Sequence, residues 1–279
     1  EQTTTESAMY ASLLPQALTL ARAAGDAILS VYNTADFNVD MKADNSPLTQ
    51  ADLNAHKILE PGLLKLLDGV PVLSEEGALP DWNTRKQWNR YWIIDPLDGT
   101  KEFIKRNGEF TVNIALIENG EPVLGVVHVP VLDISYTGVK GGGATKYEKG
   151  KQTPIHTRKM HARNGDPVAV VASRSHGADA VDALLAKIGA ALGEVTLKNM
   201  GSSLKLCLVA EGAADIYPRL ALTSEWDTAA AQAVVEAAGG LVWTDKLETM
   251  RYNTKEDILN PFFHVIGDPA YDWKTLLGS

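Results

Sequence analysis

The chain of 279 residues has 45% apolar and 22% charged residues, which is the composition of a folded globular protein and excludes fibrous and disordered classes. Its formal net charge of −9 argues against a polymeric nucleic acid as partner, because such partners require a basic face. The single cysteine excludes an internal disulfide framework and a cysteine-based zinc site.

The N-terminal part of the chain predicts two helices and two short strands. Apolar residues at helical spacing indicate a long amphipathic helix over 9–32, and a second helical pattern covers 50–67. Between them, residues 37–41 alternate between apolar and polar side chains, as in a short strand. A buried strand is predicted at 70–73, followed by a polar loop over 79–90.

The next part predicts antiparallel strands. A buried strand at 91–94 runs into the sequence DPLDGT, and a short helix follows over 100–106. Three β segments then occur at 111–118, 122–129 and 132–138, separated by turn residues. Such closely spaced strands favour an antiparallel meander.

Beyond residue 150 strands and helices alternate, which is typical of an α/β arrangement. The predicted strands cover 168–172, 195–198 and 213–217, and the predicted helices cover 178–192, 202–211 and 227–238. We therefore expect an α+β subdomain over 1–155 and a smaller α/β subdomain over 156–279.

Two carboxylates follow directly on the predicted strand at 91–94. Asp95 stands at its C-terminal end, where α/β folds place ligand sites, and Pro96 fixes the backbone so that Asp98 projects toward the same point. Gly99-Thr100 then begins a helix whose free N–H groups attract an anion such as phosphate. This arrangement would hold divalent cations against a phosphate. The alternative is that Asp98 only caps the helix and Asp95 is a turn residue.

Further polar residues stand at the ends of predicted elements. Glu75 follows a short apolar strand, where a solvated loop is the alternative. Asp227 precedes a helix of small residues that can approach other backbone closely, and helix capping is its alternative role. Asp52 stands in the first turn of a helix with Thr49 as candidate N-cap. A Gly-Ser helix start with Lys205 one turn in suits an anionic ligand or a plain cap.

Together, Glu75, Asp95, Asp98 and Asp227 offer only oxygen ligands, which suits Mg²⁺. Phosphoester hydrolysis with two metal ions about 3.5–4 Å apart needs such a set. Competing motifs are missing from the sequence, which has no GxxxxGK[ST], no GxGxxG after a strand and no GxSxG elbow. ATP-driven, dinucleotide-dependent and serine-hydrolase chemistries are therefore disfavoured.

The motif DPLDGT at 95–100, preceded by Glu75-Glu76 and followed by WDTAA at 226–230, resembles the inositol monophosphatase superfamily of magnesium-dependent, lithium-sensitive phosphatases. Matching segments run from about residue 10 to 268. Within the superfamily, TKEFI at 100–104 is similar to the CysQ-type 3'(2'),5'-bisphosphate nucleotidases. The resemblance implies a layered αβαβα sandwich of the inositol monophosphatase / fructose-1,6-bisphosphatase type. It also implies hydrolysis of 3'-phosphoadenosine 5'-phosphate to AMP and phosphate.

The same resemblance implies roles for individual residues. The metal ligands would be Glu75, Asp95, the Leu97 carbonyl, Asp98 and Asp227. The residues acting on the attacking water would be Asp52 and Thr100, with Glu75 as a further catalytic residue. The substrate-binding residues would be Gly99, Thr100, Lys101, Gly201, Ser202, Lys205, Ser173, Tyr217 and Arg219. The sequence departs from the family pattern at Ala221-Leu222, where Gly-Pro is usual, and at Ala231, where Gly is common.

The implied cofactors are two or three Mg²⁺ ions, with Mn²⁺ as a substitute and Li⁺ and Ca²⁺ as inhibitors. The implied partner is a small bisphosphorylated nucleotide. An inositol or sugar monophosphatase is the nearest alternative, and a metal-dependent nucleotide sensor without turnover is a remote one. We expect a cytoplasmic location, because no apolar run approaches the roughly 20 residues that span a bilayer and the N-terminus lacks a signal-peptide profile. A peripheral association with the inner membrane and the choice between monomer and dimer stay open.

Overall fold

The computed structural model describes residues 2–172 and 178–278. Its helices are α1 (Gln2–Tyr32), α2 (Pro47–Leu66), α3 (Trp82–Arg85), α4 (Thr100–Lys105), α5 (Ala178–Leu192), α6 (Leu204–Ala210), α7 (Glu225–Ala237) and α8 (Trp273–Leu277), with a 3-10 turn at Met160–Arg163. Its strands are β1 (Val72–Ser74), β2 (Arg90–Asp98), β3 (Thr111–Glu118), β4 (Glu121–Val129), β5 (Ile134–Val139), β6 (Gly143–Glu148), β7 (Lys151–Ile155), β8 (Val168–Ala172), β9 (Val195–Asn199), β10 (Ile216–Arg219), β11 (Leu241–Thr244) and β12 (Phe263–Ile266).

The strands form two sheets. The first has the order β1-β2-β3-β4-β5-β6-β7, in which β1 pairs parallel with β2 and each later neighbour pairs antiparallel. The second has the order β11-β12-β10-β8-β9. There β8 pairs parallel with β9 and β10, whereas β12 pairs antiparallel with β10 and β11. The first sheet is thus a meander extended by one parallel strand.

Alternating side chains of β2 separate the layers of the molecule. Trp92 and Ile94 belong to an apolar cluster with residues of α1 and α2 on one face of the first sheet. Tyr91 and Ile93 belong to the cluster that fills the space between the two sheets, together with residues of α6 and α7. A third apolar cluster joins the second sheet to α5 and α8, with the buried Trp273 among its members. The predicted αβαβα sandwich is confirmed.

Helix α7 lies directly on the backbone of the first sheet. A Cβ atom added at Gly125 of β4 would collide with the carbonyl of Ala230, and one added at Gly138 of β5 would come within 2.6 Å of the Cα of Val234. Since ordinary side chains cannot fit at this separation, glycine on the sheet and small residues on the helix permit the contact. The small residues at the start of α7 have the effect predicted from the sequence.

Most predicted elements are confirmed, and one predicted strand is wrong. Residues 37–41 form turns, because the side chains of Asp36 and Asp40 accept hydrogen bonds from the backbone N–H groups of Asn38 and Lys42. The sequence analysis also missed α3, the β6–β7 hairpin and the C-terminal elements β11, β12 and α8.

The start of α2 also differs from the prediction. Ser46, rather than Thr49, is the N-cap of α2, and its hydroxyl accepts a hydrogen bond from the Thr49 N–H while Pro47 occupies the first turn. Asp52 consequently lies one turn deeper in the helix than predicted.

Within the described residues, none of the helices combines the length and the apolar character needed to cross a bilayer. The division into subdomains at residue 155 stays a prediction, and α7 from the second part packs on strands of the first.

Candidate active site

Strand β2 carries two aspartates at its C-terminal end. The register of β2 against β3 shifts between Asp95 and Asp98, so the strand bends at this point. Asp95 is 1% exposed, and its Oδ1 accepts a hydrogen bond from the Leu97 N–H at 3.2 Å. The irregular backbone therefore holds the buried carboxylate of Asp95 beside the half-buried carboxylate of Asp98.

Asp98 does not cap helix α4. The N-cap residue of α4 is Gly99, and no side chain caps the helix there. The Oδ2 atom of Asp98 instead accepts hydrogen bonds from the N–H group of Ser203 at 2.9 Å and from its hydroxyl at 2.6 Å. Asn113 adds a third donor, with Nδ2 at 3.3 Å from the same oxygen. The capping alternative for Asp98 is wrong.

The sequence analysis did not single out Ser203 or Asn113. A signal was present for Asn113, because a polar residue in the middle of the apolar strand TVNIALIE needs a buried partner. Ser203 had no comparable signal, since its partner Asp98 lies 105 positions away in the sequence.

Asp227 lies in the first turn of α7, where its Oδ2 accepts a hydrogen bond from the Ser224 N–H at 2.8 Å. The N-cap of α7 is Ser224, so the N-cap alternative for Asp227 is wrong, and Asp227 is instead the third helical residue of a capping box. The same side chain also approaches Asp98, since one carboxylate oxygen of each residue lies within 4.8 Å of the other. Asp227 therefore both accepts a hydrogen bond at the start of α7 and belongs to a group of neighbouring acidic residues.

Three carboxylates from distant segments meet here, and we call them the acidic cluster: Asp95, Asp98 and Asp227. One carboxylate oxygen from each lies within 4.8 Å of the others. Burial and the charges of Glu75, Asp98 and Asp227 raise the pKa of Asp95 well above its usual range. Burial, together with the charge of Asp98, raises the pKa of Asp227 to about 7. Like charges at such separations repel, and the all-oxygen donor set fits a hard divalent cation that would neutralise them.

Glu75 and Asp52 lie beside this cluster rather than in it. Glu75 is exposed, follows β1, and is near enough for its charge to act on Asp95, but its carboxylate is not one of the three that come within 4.8 Å. Burial, then the charges of Glu76 and Glu75, raise the pKa of Asp52 to about 8. Leu97, whose carbonyl is a predicted ligand, is buried between the two aspartates of β2.

The turn after Asp98 packs closely against the residues that precede β3 and α6. Gly99 has a φ of 99°, and a Cβ atom there would lie 3.2 Å from both the Cα of Phe110 and the Cβ of Ser202. Glycine satisfies both the left-handed backbone and the lack of space. Thr100 and Lys101 begin α4 and are exposed.

A cavity of about 100 Å³ extends from the acidic cluster and is lined by both signs of charge. Asp98 and Asp227 contribute to its wall, and so do the buried Lys205, Tyr217 and Arg219. The ammonium of Lys205 lies 5.7 Å from the centroid of the Tyr217 ring. Burial and the charge of Arg219 lower the pKa of Lys205 to about 8. We call Lys205 and Arg219 the cationic pair.

Arg219 has unused donors. Its Nη2 donates to the Leu222 carbonyl at 3.3 Å, whereas its buried Nε and Nη1 have no hydrogen-bond partner in the described part of the chain. Because buried donors without partners are costly, an anion that accepts from them would be favoured.

Two predicted substrate residues have protein partners in this structure. The N–H group of Gly201 donates to Oε2 of Glu109 at 3.0 Å, and the hydroxyl of Ser202 donates to the Glu109 carbonyl at 2.5 Å. The predicted residue Ser173 lies outside the described residues.

The family model and the individual relatives that match this chain agree with each other. A profile described as "Inositol monophosphatase family" matches residues 9–262. The chain is 50% identical over 254 residues to the 3'(2'),5'-bisphosphate nucleotidase CysQ of Escherichia coli (strain K12), which covers 91% of this chain and 99% of the relative. It is 40% identical over 259 residues to the CysQ of Buchnera aphidicola subsp. Acyrthosiphon pisum (strain APS), which covers 92% and 94% of the two chains.

Solved structures show the same layers. CysQ from Bacteroides thetaiotaomicron, a bacterial member of the inositol monophosphatase family, aligns with a TM-score of 0.83 at 44% identity, over 92% of this chain and 97% of that one. An inositol monophosphatase from Zymomonas mobilis aligns with a TM-score of 0.74 at 26% identity, over 96% and 97% of the two chains.

Proposed function

The chain belongs to the inositol monophosphatase family, and we propose that it hydrolyses 3'-phosphoadenosine 5'-phosphate to AMP and phosphate with Mg²⁺ as cofactor. One observation carries the proposal: two members of the acidic cluster, Asp98 and Asp227, line the same cavity as the cationic pair. A substrate with two phosphates suits this arrangement, because one phosphate would lie at the cations and the other at the cationic pair. The names of the relatives from Escherichia coli and Buchnera aphidicola support the nucleotide.

The proposed metal-holding residues are the acidic cluster with Glu75 and the carbonyl of Leu97. When bound, two or three Mg²⁺ ions would supply Lewis-acid stabilisation of the phosphoryl group and lower the pKa of water. We expect Mn²⁺ to substitute for Mg²⁺, and Li⁺ and Ca²⁺ to inhibit.

Asp52 and Thr100 are the proposed residues that act on the attacking water, with Glu75 beside them. Burial and the charges of Glu76 and Glu75 raise the pKa of Asp52 to about 8, so its carboxylate, once ionised, is a stronger base than that of an ordinary aspartate. Thr100 begins α4 next to the acidic cluster, so its hydroxyl can orient the same water. Attack by water in line with the leaving oxygen requires no covalent intermediate with the protein.

The scissile phosphate is proposed to lie at the turn between β2 and α4. The left-handed conformation of Gly99 turns the chain so that the backbone of Gly99 and Thr100 follows immediately on Asp98. Their N–H groups would donate to phosphate oxygens, and the exposed Lys101 would add positive charge at the same place. A side chain at position 99 would crowd Phe110 and Ser202 and strain this left-handed turn.

The second phosphate is proposed to lie against the cationic pair. The free Nε and Nη1 of Arg219 would donate to it, with Lys205 supplying a second positive charge. Tyr217 and Ser202 line the same cavity and would contact the nucleotide. Because its N–H group already bonds Glu109, Gly201 would contribute space near the ribose rather than a donor. We retain Ser173 as a predicted contact of the base.

A substrate comparison tests the proposal. Phosphate release is measured from 3'-phosphoadenosine 5'-phosphate and from inositol 1-phosphate, in Mg²⁺, with and without Li⁺. We expect kcat/KM to be about 10- to 100-fold higher for the nucleotide, because only that substrate uses the donors of Arg219. The Arg219→Gln variant serves as the control and should lose most of this preference.

Two outcomes would contradict the proposal. Equal or better turnover of the inositol ester would favour the inositol or sugar monophosphatase, a class to which the Zymomonas mobilis structure belongs. Tight nucleotide binding without phosphate release at saturating Mg²⁺ would favour a sensor. A cytoplasmic location and a monomeric or dimeric state remain predictions from the sequence.

A further inference from the structure

Ser203 is a point of contact between three distant segments of the chain. It is 1% exposed and lies at the N-terminal end of α6. Its hydroxyl lies 2.6 Å from Oδ2 of Asp98, 2.9 Å from the backbone carbonyl of Asp227 and 2.7 Å from Nδ2 of Asn113. It therefore links the end of β2, the middle of β3 and the first turn of α7.

The hydrogen bonds around Ser203 have a defined direction. The hydroxyl of Thr111 donates to Oδ1 of Asn113 at 2.9 Å, which fixes the side-chain amide with Nδ2 toward Ser203. Nδ2 of Asn113 then donates to the hydroxyl of Ser203, which leaves the single hydroxyl proton of Ser203 for an acceptor. The carboxylate of Asp98 is the nearer and the charged acceptor, so it receives the stronger bond.

All these donors engage one oxygen of Asp98. Oδ2 accepts from the N–H and hydroxyl groups of Ser203 and, at 3.3 Å, from Asn113, while the hydroxyl of Thr111 lies 3.5 Å from it. None of these four contacts is made by Oδ1. With one carboxylate oxygen held by several donors, rotation of the side chain would break all of them together.

We propose that Ser203 and Asn113 are positioning residues for the cation, because they fix the Asp98 carboxylate through Oδ2 and leave Oδ1, which takes part in none of these contacts, to serve as the ligand oxygen. This inference rests on the proposed metal-dependent function. Partners of this kind orient a ligand without touching the ion. The hydroxyl of Ser203 also lies 2.9 Å from the Asp227 carbonyl, but its single proton is donated to Asp98, so the positioning role applies to Asp98.

Cation binding without substrate tests the inference directly. Isothermal titration calorimetry of Mn²⁺ and Mg²⁺ into metal-free protein is carried out for the wild type and for Ser203→Ala, Asn113→Ala and Ser135→Ala. Ser135 is a matched control, because it is also 1% exposed and its hydroxyl lies 2.7 Å from Nδ1 of the buried His128, in a contact with no metal ligand. We expect Ser203→Ala and Asn113→Ala to weaken cation affinity by about 10- to 100-fold, and Ser135→Ala by less than about twofold.

Turnover at increasing Mg²⁺ gives a second readout. If Ser203 acts through the cation, the Mg²⁺ concentration for half-maximal rate rises in Ser203→Ala and excess Mg²⁺ restores most of the rate. A merely structural defect would lower the rate at every Mg²⁺ concentration. A combined Ser203→Ala, Asn113→Ala variant should lose less affinity than the product of the single losses, because the two side chains act as one unit.

The outcomes separate the inference from the function. Failure of the wild type to bind either cation would overturn the proposed metal-dependent function. Binding by the wild type with unchanged affinity in Ser203→Ala and Asn113→Ala would overturn the positioning role alone, as would an equal loss in Ser135→Ala. Should Ser203→Ala not fold, Asn113→Ala decides, since its affinity must fall if the inference holds.

Discussion

Two members of the acidic cluster, Asp98 and Asp227, line the same cavity as the cationic pair, but the hydrogen bonds of the two groups differ. Asp95, Asp98 and Asp227 each accept hydrogen bonds from the protein, including donors on Leu97, Ser203 and Ser224. Arg219, in contrast, keeps Nε and Nη1 without a partner in the described residues. Hydrogen bonds from the protein therefore hold the acidic cluster in place, and this cluster lacks only compensating positive charge. The cationic pair, in contrast, has donors available for a ligand.

This difference separates catalysis from binding. Disturbing the acidic cluster should affect the chemical step, because the cations that it would hold stabilise charge in the transition state. Disturbing the cationic pair should affect mainly the affinity for the substrate, because the second phosphate does not react. The following predictions test this division.

The largest effect is expected for Asp98→Asn, which keeps the shape of the side chain but removes its charge. We expect kcat to fall by about 10³-fold because charge stabilisation at the phosphoryl group is lost. The metal-free variant should remain folded and be no less stable than the wild type, since repulsion within the acidic cluster is reduced. Phosphate release and thermal unfolding measure both effects. Asp68→Asn, which changes an exposed aspartate after α2, is the control, and a near-normal rate for Asp98→Asn would contradict the assignment.

A smaller and different effect is expected for Arg219→Ala. KM for 3'-phosphoadenosine 5'-phosphate should rise by about 10- to 100-fold through loss of charged hydrogen bonds, with a much smaller change in kcat. With 3'-AMP, which lacks the second phosphate, KM should change little. Steady-state kinetics on both nucleotides check this prediction, and an equal loss on the two substrates would disprove the separation.

The pH dependence of stability should have opposite slopes for the two regions in the metal-free protein. The folded pKa of Asp227, about 7, exceeds its ordinary value, so its contribution to stability is present at low pH and is lost as the pH rises through about 7. The folded pKa of Lys205, about 8, is below its ordinary value, so its contribution is present at high pH and is lost as the pH falls through about 8. Each change should be on the order of 1–3 kcal/mol.

Urea unfolding in the presence of a chelator, from pH 5 to pH 10, measures both slopes. Asp227→Asn should flatten the change below pH 8, and Lys205→Met should flatten the change above it. Stability that increases between pH 5 and pH 7 in the wild type but not in Asp227→Asn would show that the sign is wrong.

The smallest effect is expected for Ala231→Gly, which restores the residue common in the family. Ala231 is fully buried in α7 and contributes no ligand, so the variant should lose about 1 kcal/mol of stability through the lower helix propensity of glycine. The turnover rate should stay within about twofold of the wild type. Ala55→Gly, a change at another fully buried helical alanine in α2, should match it in thermal unfolding. A large loss of turnover rate in Ala231→Gly, without a similar loss in Ala55→Gly, would mean that residue 231 affects the active site directly.

The meander and the aspartates were predictable from the sequence because both are local signals. Turn residues separate β3, β4 and β5, and the aspartates lie near element ends, with Asp95 and Asp98 in the C-terminal part of β2 and Asp227 in the first turn of α7. The strand predicted at 37–41 failed because aspartate side chains bond the local backbone there, which competes with the apolar alternation. Lys205 was singled out at its Gly-Ser helix start, whereas Arg219 emerged only from resemblance to a family, as no spacing links the two residues.

Ser203 and Asn113 were not predictable for a different reason. Ser203 lies 90 positions from Asn113 and 105 from Asp98, so its contacts with them form only when distant segments of the chain pack together. The sequence thus indicates which residues carry charge, and the assembled layers decide which polar residues hold those charges in place.

The glycines under α7 have a consequence for the durability of the site. Since Gly125 and Gly138 bring the helix onto the sheet backbone, peptide thickness rather than side-chain shape sets the height of α7, and hence of Asp227, above the strands. Rotamer changes or moderate substitutions elsewhere in the core should then have little effect on the distance between α7 and the sheet. Substitutions can therefore accumulate in the surrounding apolar core while the distances between Asp227 and the other carboxylates of the acidic cluster are preserved.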